Sequence, residues 1–499
     1  MTSSILARTA LSAGWVIGWR MATRVLGLAS TLILVRVLLP EDFGIVALGA
    51  AFAQTVDTLS VLGTDDALIR EREPTRALYD TAFTLNAMRG VLTGIVVALA
   101  AWPTAVFFGE PRLTSLLLAL AVLAVIDGWL NIGVVDFRRD FQFHKEFLLN
   151  ILPRVFSVGV TVAAAALFQS YWALVAGQAA FRVLRVASSY RMHPYRPRFS
   201  LAAWRRLLLF SAWTWAFAVV QMMQARVDAF VIGRSLGTGG VGAYALGAEI
   251  ATLPTSEIVD PLGRAAYSGF SATRREGGTR ALFSRLVASS LLITGPAGLG
   301  LSMVADPLVR VALGERWLQV VPVIQVLSIA CGFATFGNLA FMLLRSHGYL
   351  ATICAVSALA LLVKVAMIRA LLHIYGLPGA AGGAATAMMF ESLTLLAAVI
   401  ITQRLPVGPL VACCWRVVVA CAVMAGALWC AGLAWTGSTE TFTASVSRLL
   451  ASAALGAVTY AMILGLLWIM QGRPDGAEAD MVETLRRLLR TVRRNLAFG

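Results

Sequence analysis

Arginines and amides recur at helical spacing inside runs that are otherwise apolar. Arg20 and Arg24 stand four apart; Asn86, Arg89 and Thr93 line up, as do Asn150, Arg154 and Ser157, and Gln178, Arg182 and Arg185. Further along, Gln221, Gln224 and Asp228 share a face with Arg226 displaced from it, and Thr252, Ser256 and Asp260 follow with Glu249 and Glu257 nearby. Residues three and four apart lie on one side of a helix. A guanidinium stays charged at every accessible pH and offers a planar fork of donors that matches phosphate and carboxylate oxygens. Faces of this kind suit a wet, net-basic cavity that receives an anionic head, either a diphosphate linked to sugars or an acidic sugar.

A charge at the centre of a bilayer costs roughly 3 kcal/mol on insertion scales unless it faces water or a partner. Arg20, Arg24, Arg89, Arg154 and Arg226 fall deepest in their runs and are the expected cavity-facing, anion-binding residues. Asp57, Asp127, Asp228, Glu257 and Glu391 are expected either as counter-ions to these arginines or as sites for a coupling H+ or Na+. Arg182 and Arg185 sit near a span end, where facing the cavity and snorkelling to headgroups are both open. Arg36 and Arg234 are expected to snorkel, and Lys364 and Arg369 to meet either headgroups or cargo. Catalytic and metal signatures are missing from the sequence. The histidines at 144, 193, 347 and 373 have no metal spacing, the six cysteines lie in apolar runs, and no nucleophile elbow or phosphate loop is present. No enzyme activity, resident cofactor or metal is therefore expected.

The elements that must position these residues are membrane helices. Of the 499 residues, 59% are hydrophobic and 13% charged, too little polar surface for a soluble chain of this size. Apolar runs repeat along the whole length, each able to cross about 30 Å of hydrocarbon at 1.5 Å per residue. About fourteen spans are expected, among them one at 114–135. The formal net charge of +15 raises nucleic acid as a partner, but the basic residues are dispersed in short loops as topology signals, with no contiguous basic surface. Arg70, Arg72 and Arg76, Arg138, Arg139 and Lys145, and Arg191, Arg196 and Arg198 fall on one side with the arginine-rich tail. That asymmetry predicts cytoplasmic N- and C-termini. The first apolar run is too long for a cleavable signal peptide and carries Arg20 and Arg24.

Residues 36–50 align without gaps on 234–248, with Arg, Leu, Gly and a final Ala-Leu-Gly-Ala coincident, and the same offset pairs Trp15 with Trp213. An even number of spans between the copies makes this a parallel repeat, as in transporters built from two similar halves. The expected organisation is a six-helix bundle over 1–190, a cytoplasmic linker at 191–206 and a second six-helix bundle over 207–404. Two additional spans over 405–471 and an amphipathic, basic tail at 472–499 complete it.

The segments Leu34-Val-Arg-Val-Leu-Leu-Pro-Glu-Asp-Phe-Gly44, Leu62-Gly-Thr-Asp-Asp-Ala-Leu-Ile-Arg70, Phe137-Arg-Arg-Asp-Phe-Gln-Phe143, Leu236-Gly-Thr-Gly-Gly-Val-Gly-Ala-Tyr244 and Leu313-Gly-Glu-Arg-Trp317 occur in that order. Together they resemble the polysaccharide-exporter branch of the multidrug/oligosaccharidyl-lipid/polysaccharide flippase superfamily. The resemblance implies two six-helix bundles related by a pseudo-two-fold across a central cavity, plus two C-terminal helices. It also implies alternating access in a bacterial inner membrane, with a polyprenyl-diphosphate-linked oligosaccharide as cargo for O-antigen, capsule or exopolysaccharide. A polymerase and a chain-length regulator would act beside it. A lipid II flippase and a small-molecule antiporter remain the alternatives, the latter disfavoured by the buried arginines; a membrane-embedded glycan polymerase or glycosyltransferase is disfavoured because no large outward loop or acidic metal motif is found.

Overall fold

The computed structural model describes residues 2–60, 64, 68, 69, 71, 74–140, 142–204, 212–273, 278–435, 441–474 and most of 476–486. Side chains at 2–17, Trp19, Arg20, 212–216, 256–262 and much of 264–273 lie outside that description. Among the described residues every regular element is a helix. Two compact units emerge, Met1–Gly242 and Ala243–Gly499.

The first unit contains α1 (Thr2–Val37), α2 (Pro40–Leu59), α3 (Arg76–Phe108) and α4 (Arg112–Gly128). A 3-10 turn (Ile132–Val135) and the short α5 (Asp136–Arg139) lead into α6 (Phe143–Phe168) and α7 (Trp172–Met192). The long α8 (Ala212–Thr273) is broken at Gly237, whose φ of 68° no other residue type adopts without strain. The second unit adds α9 (Thr279–Met303), α10 (Ala305–Ala312), a 3-10 turn (Glu315–Val320), α11 (Val321–Ser346), α12 (Leu350–Tyr375) and α13 (Leu377–Gln403). It ends with α14 (Val407–Cys430) and α15 (Phe442–Met470).

Eight described helices are long and apolar enough to cross a membrane, nine when the bent pair α4 and Ile132–Arg139 is taken as one span. The remaining expected spans coincide with α1, α2, α7 and the two arms of α8, where the intramembrane charges concentrate. Large apolar side chains such as Leu99, Trp102, Leu362 and Ile401 point outward, as they do when lipid is the solvent.

Lipid-facing helices gain little from apolar burial, so their contacts rest on small residues that let backbones approach. A methyl on Gly90 of α3 would stand 2.8 Å from the Cα of Gly128 on α4, and one on Gly177 of α7 would strike the Thr161 hydroxyl of α6. The Ser157 hydroxyl donates to the Gly177 carbonyl at 2.8 Å, an interhelical bond worth about 1 kcal/mol. Arg89 and Asp127 adjoin the first of these contacts and Gln178 the second.

The span expected at 114–135 bends by 69° between Gly128 and Ile132. Asn131, fully buried, causes the bend by diverting the backbone. Its side-chain oxygen accepts from Gly133 N at 3.0 Å and its amide donates to the Tyr195 carbonyl at 2.9 Å. Its own N–H donates to Ser189 Oγ at 3.2 Å. The linker carries no helix from His193 to Leu201, turns at Ala202 and Ala203, and is fastened to these ends. Arg198 N donates to Asp80 at 3.0 Å, Ser200 N to Thr84 at 2.9 Å and Ala203 N to Thr81 at 3.2 Å. Tyr195 donates to Asp80; burial, with Asp80 adding to it, pushes that phenol up.

The repeat reappears as a contact. A methyl on Gly44 would overlap the Thr238 carbonyl, and one on Gly242 would overlap that of Pro40. Thr238 is the repeat counterpart of Pro40, and Gly242 of Gly44, so each copy presents to the other what the other presents to it. Glycine is required at both places because backbone meets backbone there.

The described start of the tail is docked against the second unit. Glu478 is buried and meets Arg416 of α14 at 2.7 Å, and Asp480 accepts from Arg285 Nε of α9 at 2.5 Å. Of the apolar face expected along the tail, Leu485, Leu488, Leu489, Val492 and Leu496 lie outside the described residues.

Candidate anion-binding cavity

A cavity of about 450 Å³ opens inside the first unit, among α2, α3, α4, the 132–135 turn and α7. Its polar lining includes Gln54, Asp57, Thr64, Asn86, Arg89 and Thr93, then Asp127, Asn131, Arg138, Gln178, Arg182 and Arg185. The charges are ordered in pairs. Arg89 Nη1 donates to Asp57 Oδ1 at 3.1 Å, and Arg182 Nη1 stands 3.1 Å from Asp127 Oδ2. Arg89 Nε is buried with no hydrogen-bond partner among the described residues. Thr64 Oγ1 donates to Asn86 Oδ1 at 3.0 Å, and Ser60 and Thr93 hydroxyls meet at 3.1 Å. Arg138 also donates to Glu146 at 2.6 Å, outside the lining.

Four arginines against two aspartates leave this lining positive. Both carboxylates are engaged by a guanidinium, the arrangement of counter-ions. No group of three or more metal-ligating side chains occurs among the described residues. The chemistry on offer is recognition of an oxyanion by several donor forks, with amides and hydroxyls beside them.

Of the residues expected from sequence, Arg89, Asp57 and Asp127 meet in this cavity. Arg226, on the first arm of α8, donates to the lining residue Gln54. Arg154 lies elsewhere in the unit, against α1, where its Nη2 would touch a methyl on Gly27 at 3.4 Å. Arg24 is half-buried on α1, one turn from Gly27, and is not part of the lining. Asp228 is half-buried on α8. Glu391 belongs to the second unit and accepts from Ser357 Oγ at 2.6 Å. The side chains of Arg20 and Glu257 lie outside the described residues.

Arg182 and Arg185, for which snorkelling was left open, line the cavity instead, as does Arg138 from what reads as a loop. Their shared face with Gln178 was the available signal. The bend at Asn131 that carries Arg138 inward has no periodic signature.

A family profile described as "Polysaccharide biosynthesis protein" matches residues 33–322. Lipopolysaccharide biosynthesis protein WzxC of Escherichia coli (strain K12) is 24% identical over 320 residues, 63% of this chain and 65% of that protein. Succinoglycan biosynthesis transport protein ExoT of Rhizobium meliloti (strain 1021) is 24% identical over 340 residues, covering 67% and 69% of the two chains. Teichuronic acid biosynthesis protein TuaB of Bacillus subtilis (strain 168) is 25% identical over 273 residues, covering 54% and 56%. The chain thus spans roughly 56–69% of the length of these relatives. Among solved structures, lipid II flippase MurJ in an inward closed conformation superposes with a TM-score of 0.74 at 13% identity, covering 92% of this chain and all of that one. An inward-facing multidrug resistance MATE family transporter of the MOP superfamily gives 0.60 at 14% identity, covering 77% and 94%. At these identities the superpositions speak for the fold.

Proposed function

This chain belongs to the polysaccharide biosynthesis protein family, and from that premise we propose that it is a flippase. It carries a polyprenyl-diphosphate-linked oligosaccharide from the cytoplasmic to the periplasmic leaflet of a bacterial inner membrane. The observation that bears most weight is the arginine-rich cavity inside the first unit, a site that favours a polar anion within a lipid-facing helix bundle. The names of WzxC, ExoT and TuaB, all tied to polysaccharide biosynthesis, support the choice of cargo class. In this reading both termini are cytoplasmic, the diphosphate settles among guanidiniums, and the polyprenyl tail stays in lipid. The two repeats then rock between inward and outward states. The protein breaks no covalent bond. An H+ or Na+ gradient supplies direction, and a polymerase and chain-length regulator take the delivered unit onward.

The test is complementation of a deletion strain. Wild-type protein restores surface polymer, whereas Arg89→Ala and Arg182→Ala, present at wild-type level, lose most of it. Full polymer from both variants and from the double variant removes the cavity from the mechanism.

A further inference from the structure

We propose that Arg89, Arg182 and Arg185 form the diphosphate subsite, with Asp57 and Asp127 as resident anions that hold the first two guanidiniums in place until the ligand's oxygens take over. This rests on the flippase reading above and names the residues that grip the cargo, two of which sequence alone leaves undecided.

The geometry supplies three grounds. The arginines come from two walls, α3 and α7, so a ligand gripped by all three must present oxygens in more than one direction. A diphosphate has oxygens on two phosphorus centres, whereas a sugar carboxylate offers one planar pair. A guanidinium also carries five N–H donors, and the nearest approach to each aspartate is through a terminal nitrogen, Nη1 in both cases. On Arg89, Nε is buried without an acceptor among the described residues, a state that costs free energy unless something else accepts from it. Finally, Asn86, Gln178, Thr64 and Thr93 line the same cavity and present amides and hydroxyls suited to the first sugar.

This division of labour makes a prediction that a purely structural role for the pairs does not. Removing an arginine weakens diphosphate binding. Neutralising its aspartate strengthens it, because the ligand no longer competes with a resident anion.

Farnesyl diphosphate, a short sugar-free probe, can be titrated calorimetrically into the full-length protein in detergent, with farnesol and glucuronate as parallel probes. Arg182→Gln and Arg185→Gln are each expected to raise Kd about tenfold or more, the loss of one charge-assisted hydrogen bond. Asp127→Asn is expected to lower Kd, and the exposed Arg404→Gln to leave it unchanged. Thermal melts of every variant exclude misfolding. Unchanged affinity in the Arg182→Gln/Arg185→Gln double variant overturns the subsite, as does weaker binding in Asp127→Asn or binding of glucuronate in place of farnesyl diphosphate. Failure of the flippase reading looks different: the deletion strain, carrying no copy, still makes normal surface polymer.

Discussion

Arg89 and Arg416 are both arginines inside helices, yet their surroundings give them opposite work. The Arg89 side chain is 22% exposed beside an Asp57 that is 47% exposed, so water and ligand reach the pair and its own contribution to stability is small, at most about 1 kcal/mol. Arg416 and Glu478 are each 7% exposed at 2.7 Å, and Gln471 accepts a further bond from Arg416 at 2.6 Å. Breaking such a pair leaves a buried charge uncompensated and costs about 3 kcal/mol or more. Glu478→Gln is therefore expected to lower the melting temperature in detergent clearly and release the tail, while Asp480→Asn, whose partner Arg285 is 57% exposed, has a much smaller effect. Equal melting temperatures for wild type and Glu478→Gln would show that the tail is not clasped there.

At the scale of elements, the linker after α7 carries no helix from His193 to Leu201 and is nonetheless fastened by several hydrogen bonds. His193 is packed over Gly133, where a methyl would come within 2.3 Å of its Nδ1, and its Nε2 stands 3.4 Å from Asp136. Burial pushes the imidazole below its usual range; Asp136 pulls the other way, and Lys145 and Arg196 add to the depression. The folded state thus resists the proton more than the unfolded one. Linker docking is complete above the ordinary histidine value of about 6.5 and weakens as pH falls from there through the lower folded value. A spin label at Leu201→Cys should become more mobile at pH 5.5 than at 7.5, and His193→Gln should remove the difference. Identical spectra at the two pH values would detach His193 from the linker's hold.

For the molecule as a whole, the meeting of Gly44 with Thr238 and of Gly242 with Pro40 marks the seam between the two repeats' second helices. Rocking in the proposed cycle requires that seam to open or roll. Glu41 and Gly239, another repeat-related pair, lie beside it, with a methyl on Gly239 expected 3.6 Å from Glu41 Cγ, close enough for a disulfide between cysteines. Oxidised Glu41→Cys/Gly239→Cys protein is expected to stop surface-polymer export and reductant to restore it. Export at the wild-type rate with the cross-link complete would mean the seam is static.

Sequence alone determined the solvent and the helices, and it supplied the arginine faces on which the proposed ligand rests. Composition, run length and the period of three to four that aligns Gln178, Arg182 and Arg185 are local properties, readable because a helix fixes neighbours by spacing. The gapless repeat was legible for the same reason. Tertiary structure decided which charges converge. Arg89 on α3 reaches Asp57 on α2, and Arg182 on α7 reaches Asp127 on α4, and neither spacing nor hydropathy encodes a partner tens of residues away. The bend at Asn131 and the burial of Glu478 against Arg416 were likewise set by groups distant in the chain. A polar side chain's role in a membrane depends on what stands across from it, and packing alone supplies that.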